Sequence, residues 1–153
     1  MSEHRPTAVA LAATACGSLA LALLLSCGKL GELPTAPGSG TPEPIDPTAT
    51  FTRVQNEVFT PTCGAIGCHG RANAQEQLTL AAGSAYANIV GKPSIETPSL
   101  ARVQPLDPTN SYLYRKITGT GITGDRMPQG GPFLTDLEEK LVRDWIRRGA
   151  PND

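Results

Sequence analysis

Residues 63–69 of the chain read Cys-Gly-Ala-Ile-Gly-Cys-His, so that two thiols are separated by four residues and a histidine directly follows the second. Covalent attachment of a c-type haem uses these groups. Each thiol can add across a vinyl group of the porphyrin, and the imidazole can then bind the iron. The usual attachment motif has two residues between its cysteines, and here there are four. The rest of the chain therefore decides among the chemistries that this motif allows.

The amino-terminal residues predict export. Residues 8–25 form an unbroken run of small and apolar residues, which ends in Leu-Leu-Ser-Cys-Gly at positions 24–28. That ending is similar to a bacterial lipobox, and a secretory signal also closes its apolar region at small residues. We therefore predict a signal peptide over residues 1–26, lipid on Cys27, and a membrane-anchored lipoprotein that faces the periplasm or the cell exterior. An uncleaved transmembrane helix is the alternative, and it also leaves the remaining chain outside the cytoplasm.

The chain after the signal divides into a linker and one domain. Residues 27–50 are rich in proline, glycine, serine and threonine and show no apolar periodicity, which predicts a disordered tether. Residues 51–153 are long enough for one small hydrophobic core. The formal net charge is −1, and without a basic excess the chain is not expected to bind nucleic acid.

Apolar periodicity within the domain predicts helices and no confident strand, so the expected fold class is all-α. Four helical segments are predicted, over residues 51–61, 85–90, 107–119 and 135–149. The last has the strongest signals, because Thr135 and Glu138 form a capping box and Leu137, Leu141 and Trp145 share one face. The third is expected to begin at Asp107, where an acidic cap precedes a proline.

Removal of residues 1–26 leaves His69 as the single histidine and Met127 as the single methionine. Met127 lies in the sequence Gly-Asp-Arg-Met-Pro at residues 124–128, which predicts a loop and not the face of a helix. Methionines that fill cores usually lie on helical or strand faces. A lone loop methionine followed by a proline is instead typical of a positioned ligand, and a haem iron needs such a second axial ligand.

Two other interpretations of the motif stay open. Cys63 and Cys68 could form a small disulfide, which persists in exported proteins and would stabilise the fold by about 2 kcal/mol through chain entropy. Alternatively, Cys63, Cys68 and His69 could bind zinc. A structural zinc site requires four ligands. The mature chain has no further histidine or free cysteine, so a carboxylate or water would have to serve as the fourth.

The domain resembles the class I-type cytochromes c over nearly all of residues 51–153. An amphipathic helix leads into the cysteine motif, a methionine loop follows, and a capped helix closes the chain. Three segments also resemble the short exported domains grouped as planctomycete-type cytochromes c, namely residues 107–116, 126–128 and 145–151.

This resemblance implies one covalent haem c. Cys63 and Cys68 match the thioether positions, His69 the proximal iron ligand and Met127 the distal one. It also implies about four helices around the haem, with the first and last in contact. The function implied is that of a monohaem one-electron carrier with redox partner proteins. An enzyme is not expected, because iron with both axial ligands filled has no open position.

The haem propionates would need polar partners, for which Arg102, Arg126, Tyr112 and Trp145 are candidates by residue type. The alternative function is a lipid-anchored binding or structural module without haem, stapled by a Cys63–Cys68 disulfide.

Overall fold

The computed structural model describes residues 43–70 and 74–153. The predicted signal peptide, the lipidated Cys27 and the linker as far as residue 42 lie outside these residues. Within the described ranges there are four helices, one short 3-10 turn at Gln75–Gln77 and no strand, only isolated bridges between single residues. This part of the chain is therefore all-α, as the sequence predicts.

The first helix, α1, leads directly into the cysteine motif. It comprises an α-helical turn, Phe51–Arg53, and a π-helical continuation, Val54–Cys63. The prediction that it stops at Pro61 is wrong by two residues. Proline lacks only its own N–H, and a wider turn in which Gly64 N donates to Phe59 O at 2.7 Å carries the chain past it.

The second and third helices are short. They are α2, Ala85–Ile89, and α3, Tyr112–Thr118. The predicted start of α3 at Asp107 is wrong, because the Asp107 carboxylate accepts from Asn110 N at 3.0 Å and forms a local turn instead of a helix cap. The end of α3 agrees with the prediction, since Gly119 adopts a φ of 76° and terminates the helix.

The fourth helix, α4, spans Asp136–Arg147, and its predicted capping box is confirmed: Thr135 Oγ1 accepts from Glu138 N, and the Glu138 carboxylate accepts from Thr135 N. Leu141 and Trp145 are buried as predicted, but Leu137 is 79% exposed. The apolar face of α4 therefore begins at Leu141, one turn later than the sequence indicates.

We expect Thr135→Ala to lower the free energy of unfolding by about 1 kcal/mol, because the alanine removes the oxygen that caps the first turn of α4. Urea denaturation followed by circular dichroism measures this loss. Thr135→Ser retains the hydroxyl and is the matched control, with an expected loss well below that of the alanine variant. Equal losses in the two variants would show that the cap contributes nothing.

Helices α1 and α4 pack against each other through aromatic side chains. The ring centroid of Phe51 lies 5.4 Å from that of Trp145 and 5.2 Å from that of Tyr86. Trp145 is fully buried, and its indole N–H donates to Pro151 O at 2.9 Å. The carboxyl-terminal residues are therefore fixed to the same core that holds the start of the domain.

Residues 43–50, which the sequence assigns to the linker, pack on α4. Asp46 N donates to the buried Asp144 carboxylate at 3.1 Å, Arg147 donates to Glu43 O at 3.1 Å, and Ala49 is fully buried. The folded part of the chain thus includes residues on the amino-terminal side of Phe51. Across residues 43–70 and 74–153, no helix is long and apolar enough to cross a bilayer.

Candidate functional site

A cleft of about 410 Å³ opens between the end of α1, the loop before α3, α3 itself and the loop after it. This volume lies within the range of small-molecule sites. Cys63, Cys68, His69 and Met127 all line the cleft, although Met127 is 58 residues beyond His69. The apolar lining of the cleft is formed by Phe59, Leu78, Leu80, Leu113 and Ile117. The four residues singled out in the sequence therefore meet at one cavity.

The four residues between the cysteines, 64–67, form a spacer that bulges away from the cleft. Its turn is closed by two hydrogen bonds, from Cys68 N to Ala65 O at 3.0 Å and from His69 N to Cys63 O at 3.1 Å. Ile66, at the tip of the turn, is 77% exposed. The extra residues therefore project into solvent, while both cysteines remain on the cleft wall.

The two cysteines are free thiols in this structure and differ in environment. Cys63 is half-buried at the end of α1, whereas Cys68 is exposed. Burial, with smaller contributions from Cys68 and Glu138, raises the pKa of the Cys63 thiol to about 12. Cys63 is therefore a neutral thiol at physiological pH in this folded state.

The imidazole of His69 is held by the segment at residues 78–80. His69 Nδ1 lies 3.0 Å from Leu78 O, and Leu80 N donates to His69 O at 2.7 Å. A carbonyl oxygen can only accept, so the proton of the neutral imidazole is on Nδ1 and the lone pair of Nε2 is free. A backbone carbonyl in this role commonly orients a histidine that binds a metal.

Gly70 contributes a close backbone contact that the sequence analysis missed. A β-carbon at this position would lie 2.1 Å from Gly64 O, so only glycine fits directly after His69. The contact brings residue 70 against the turn of the spacer. The only sequence signal for this contact is the glycine that follows the histidine. A single glycine does not indicate which part of the backbone lies close to it.

Met127 is positioned by its backbone and by its neighbour. Met127 N donates to Lys116 O at 2.9 Å, which fastens the loop to α3. Arg126 donates to Ile117 O at 2.7 Å and to Glu139 at 2.8 Å. The loop is therefore fixed immediately on the amino-terminal side of Met127 and at Met127 itself.

Three polar side chains form a connected group on the cleft wall. The Glu96 carboxylate accepts from the Tyr112 hydroxyl at 2.7 Å and from Lys116 Nζ at 2.9 Å. Burial alone would raise the pKa of Glu96, but the hydrogen bonds from Lys116 and Tyr112 outweigh it and hold the pKa below its usual value. Sequence reasoning missed Glu96 and Lys116, because no motif links them to the cysteine pair.

The four candidate propionate partners divide into two pairs. Arg102 and Tyr112 line the cleft, whereas Arg126 and Trp145 do not and bond to other parts of the domain. The Arg102 guanidinium donates to Asn88 O, Asn88 Oδ1 and Glu76 O, and among the described residues no carboxylate pairs with it. Burial lowers the pKa of Arg102, as expected for a cation without an anionic partner.

The chain was compared with protein-family models, curated proteins and solved structures. None matches. In the part of the chain that the structure describes, no group of three or more His, Cys, Asp or Glu side chains is arranged to hold a metal ion.

Proposed function

We propose that the domain is a monohaem c-type cytochrome that carries single electrons. The observation behind this proposal is the convergence of Cys63, Cys68, His69 and Met127 on one cleft. A disulfide would account for the two cysteines alone. Covalent haem accounts for all four residues and for the cavity that they share.

The residues present fit the proposed cofactor. Cys63 and Cys68 would hold it as thioethers, the free Nε2 of His69 would be the proximal iron ligand, and the sulfur of Met127 the distal one. The apolar lining of the cleft suits a porphyrin, and Arg102 provides a cation without a carboxylate partner among the described residues. The outward bulge of the spacer leaves both cysteines on the cleft wall, which supports haem attachment despite four residues between them.

When bound by His69 and Met127, a haem would supply one-electron redox chemistry. The residues of this chain would hold the ligands in place: Leu78 O orients His69, and Lys116 O fixes the backbone of Met127. These hydrogen bonds would help to keep His69 and Met127 in position as ligands. We accordingly propose an electron carrier with protein redox partners and not an enzyme.

The proposal extends to cellular location. The apolar run and the lipobox-like sequence at residues 24–28 support export and lipidation of Cys27. The linker would then tether the domain to a membrane, facing the periplasm or the cell exterior.

The test is expression of the exported protein together with a haem-attachment system. We expect a red product, a mass increase of one haem, and a Soret band that survives denaturation. Replacing both Cys63 and Cys68 by serine should abolish covalent haem. Ile66→Ala alters only the exposed tip of the spacer and is the matched control, with attachment expected to equal that of the wild type.

The competing function has a distinct outcome. A colourless wild-type protein whose mass corresponds to a Cys63–Cys68 disulfide would refute the cytochrome and support a haem-less binding or structural module. Mass spectrometry of the intact, unreduced protein distinguishes the two results directly, because a disulfide lowers the mass by two hydrogens and a haem raises it.

A further inference from the structure

Glu96 has two hydrogen-bonding partners that both contact the loop after α3. This loop, residues 119–128, carries Met127 and is called the methionine loop here. Tyr112 donates to the Glu96 carboxylate at 2.7 Å, and Lys116 Nζ approaches its two oxygens at 2.9 and 3.3 Å. The side chains of Lys116 and Glu96 are 12% and 23% exposed. All three residues line the cleft, and Tyr112 and Lys116 lie on α3. Glu96 therefore connects the loop before α3 to the helix.

The same two partners bind one residue of the loop after α3. Thr123 N donates to the Tyr112 oxygen at 3.1 Å, and Lys116 Nζ donates to Thr123 O at 2.9 Å. Both backbone polar groups of Thr123 are thus satisfied by side chains whose other partner is Glu96. Thr123 is four residues before Met127, and the next attachments of the loop to α3 are the bonds from Arg126 to Ile117 O and from Met127 N to Lys116 O.

The direction of these bonds depends on the carboxylate. A tyrosine hydroxyl has one proton, and an ionised carboxylate can only accept. Because the Tyr112 hydroxyl donates this proton in its hydrogen bond to Glu96, the lone pairs of the Tyr112 oxygen are available to accept from Thr123 N. Without Glu96, the Tyr112 hydroxyl and the Lys116 ammonium would both be free to turn away from the loop. Beyond its first residues, the loop would then be held to the helices only by the bonds of Arg126 and Met127.

We propose that Glu96 is a positioning residue which, through Tyr112 and Lys116, holds the 119–128 loop in the conformation that presents Met127 to the iron. This role rests on the proposed cytochrome function. It predicts that loss of Glu96 weakens the bond between Met127 and the iron while covalent attachment at Cys63 and Cys68 is retained.

The experiment compares Glu96→Gln with Glu76→Gln in the haem-loaded protein. Both residues are carboxylates that line the same cleft, so the change in charge is matched, but Glu76 makes no bond to the methionine loop within the described structure. Imidazole, which competes with Met127 for ferric iron, is the probe. For Glu96→Gln we expect about tenfold tighter imidazole binding, equivalent to about 1.4 kcal/mol, and a weaker near-infrared band of methionine-ligated ferric haem.

Glu76→Gln should leave both signals within twofold of the wild type. Tyr112→Phe removes the acceptor for Thr123 N and should weaken methionine ligation as Glu96→Gln does. If Glu96→Gln and Tyr112→Phe both leave the band and the imidazole affinity unchanged, the positioning role is refuted while the cytochrome stands. A wild-type protein without covalent haem refutes the cytochrome itself, and the role of Glu96 with it.

Discussion

In the haem protein that we propose, Met127→Ala should abolish the near-infrared charge-transfer band of the ferric form, because this band requires sulfur on the iron. The reduction potential should fall by roughly 0.2 V, a fraction of the ~0.8 V range over which axial ligands set haem potentials. The physical cause is the loss of a soft thioether, which favours the ferrous state. Optical spectroscopy and a potentiometric titration of the haem-loaded variant measure the two effects.

The structure provides a matched control in the same loop. Gln129 also lines the cleft, and its amide donates to Asp125 in the loop itself. Gln129→Ala should therefore leave the band in place and shift the potential far less than Met127→Ala. Covalent haem should be retained in both variants, because Cys63 and Cys68 are untouched. An undiminished band in Met127→Ala would remove Met127 from its assigned role.

The ends of helices can be predicted from the sequence where residues close together in the chain determine them. The capping box of α4 depends on residues three positions apart, and the end of α3 depends on a single glycine in the left-handed region. Errors arose where local signals compete. Asp107 and Pro108 favour a helix start, yet the same carboxylate closes a turn with Asn110. Leu137 fits the helical period, but periodicity does not reveal that the buried face of α4 begins one turn later, at Leu141.

The candidate site shows a similar division. Cys63, Cys68, His69 and Met127 are predicted as site residues from residue type and sequence context, and in the structure all four line one cleft. The groups that orient them were not found. Leu78 acts through a backbone carbonyl, which has no sequence signature, and Glu96 reaches the methionine loop only through the folding of two separate loops onto α3. Such contacts depend on tertiary structure.

The segment at residues 43–50 also depends on tertiary structure. Its prolines predict a disordered tether, and only the structure reveals its partner, the Asp144 carboxylate. The Asp144 side chain is completely buried, whereas Lys140, Arg143 and Arg147, which pair with it, are 25–30% exposed. It also accepts from Asp46 N at 3.1 Å. Asp144 therefore joins the start of the folded chain to the last helix.

Asp144→Ala should lower the free energy of unfolding by about 3 kcal/mol. This value is at the lower end of the cost of breaking a buried ion pair, because the three cations left behind are partly exposed and regain contact with water. The loss is a substantial share of the 5–15 kcal/mol that stabilises a typical small protein. Urea denaturation of the haem-loaded protein measures it. Arg147→Met leaves Lys140 and Arg143 paired with Asp144 and should lower the free energy of unfolding by much less. Equal losses in Asp144→Ala and Arg147→Met would show that the three cations do not share the stabilisation.

The effect of Asp144 should also depend on pH. Burial alone would raise the pKa of Asp144, but hydrogen bonds from Lys140 and Asp46 N, together with the charges of Lys140 and Arg143, hold it below its usual value. A depressed carboxyl pKa stabilises the folded state above the unfolded pKa of about 3.9, and this contribution is lost as the pH falls toward the folded value. The stability difference between wild type and Asp144→Ala should thus be complete above about pH 5 and shrink below pH 4. A difference that stays constant from pH 7 to pH 3 would show that the effect of Asp144 comes from packing and not from its charge.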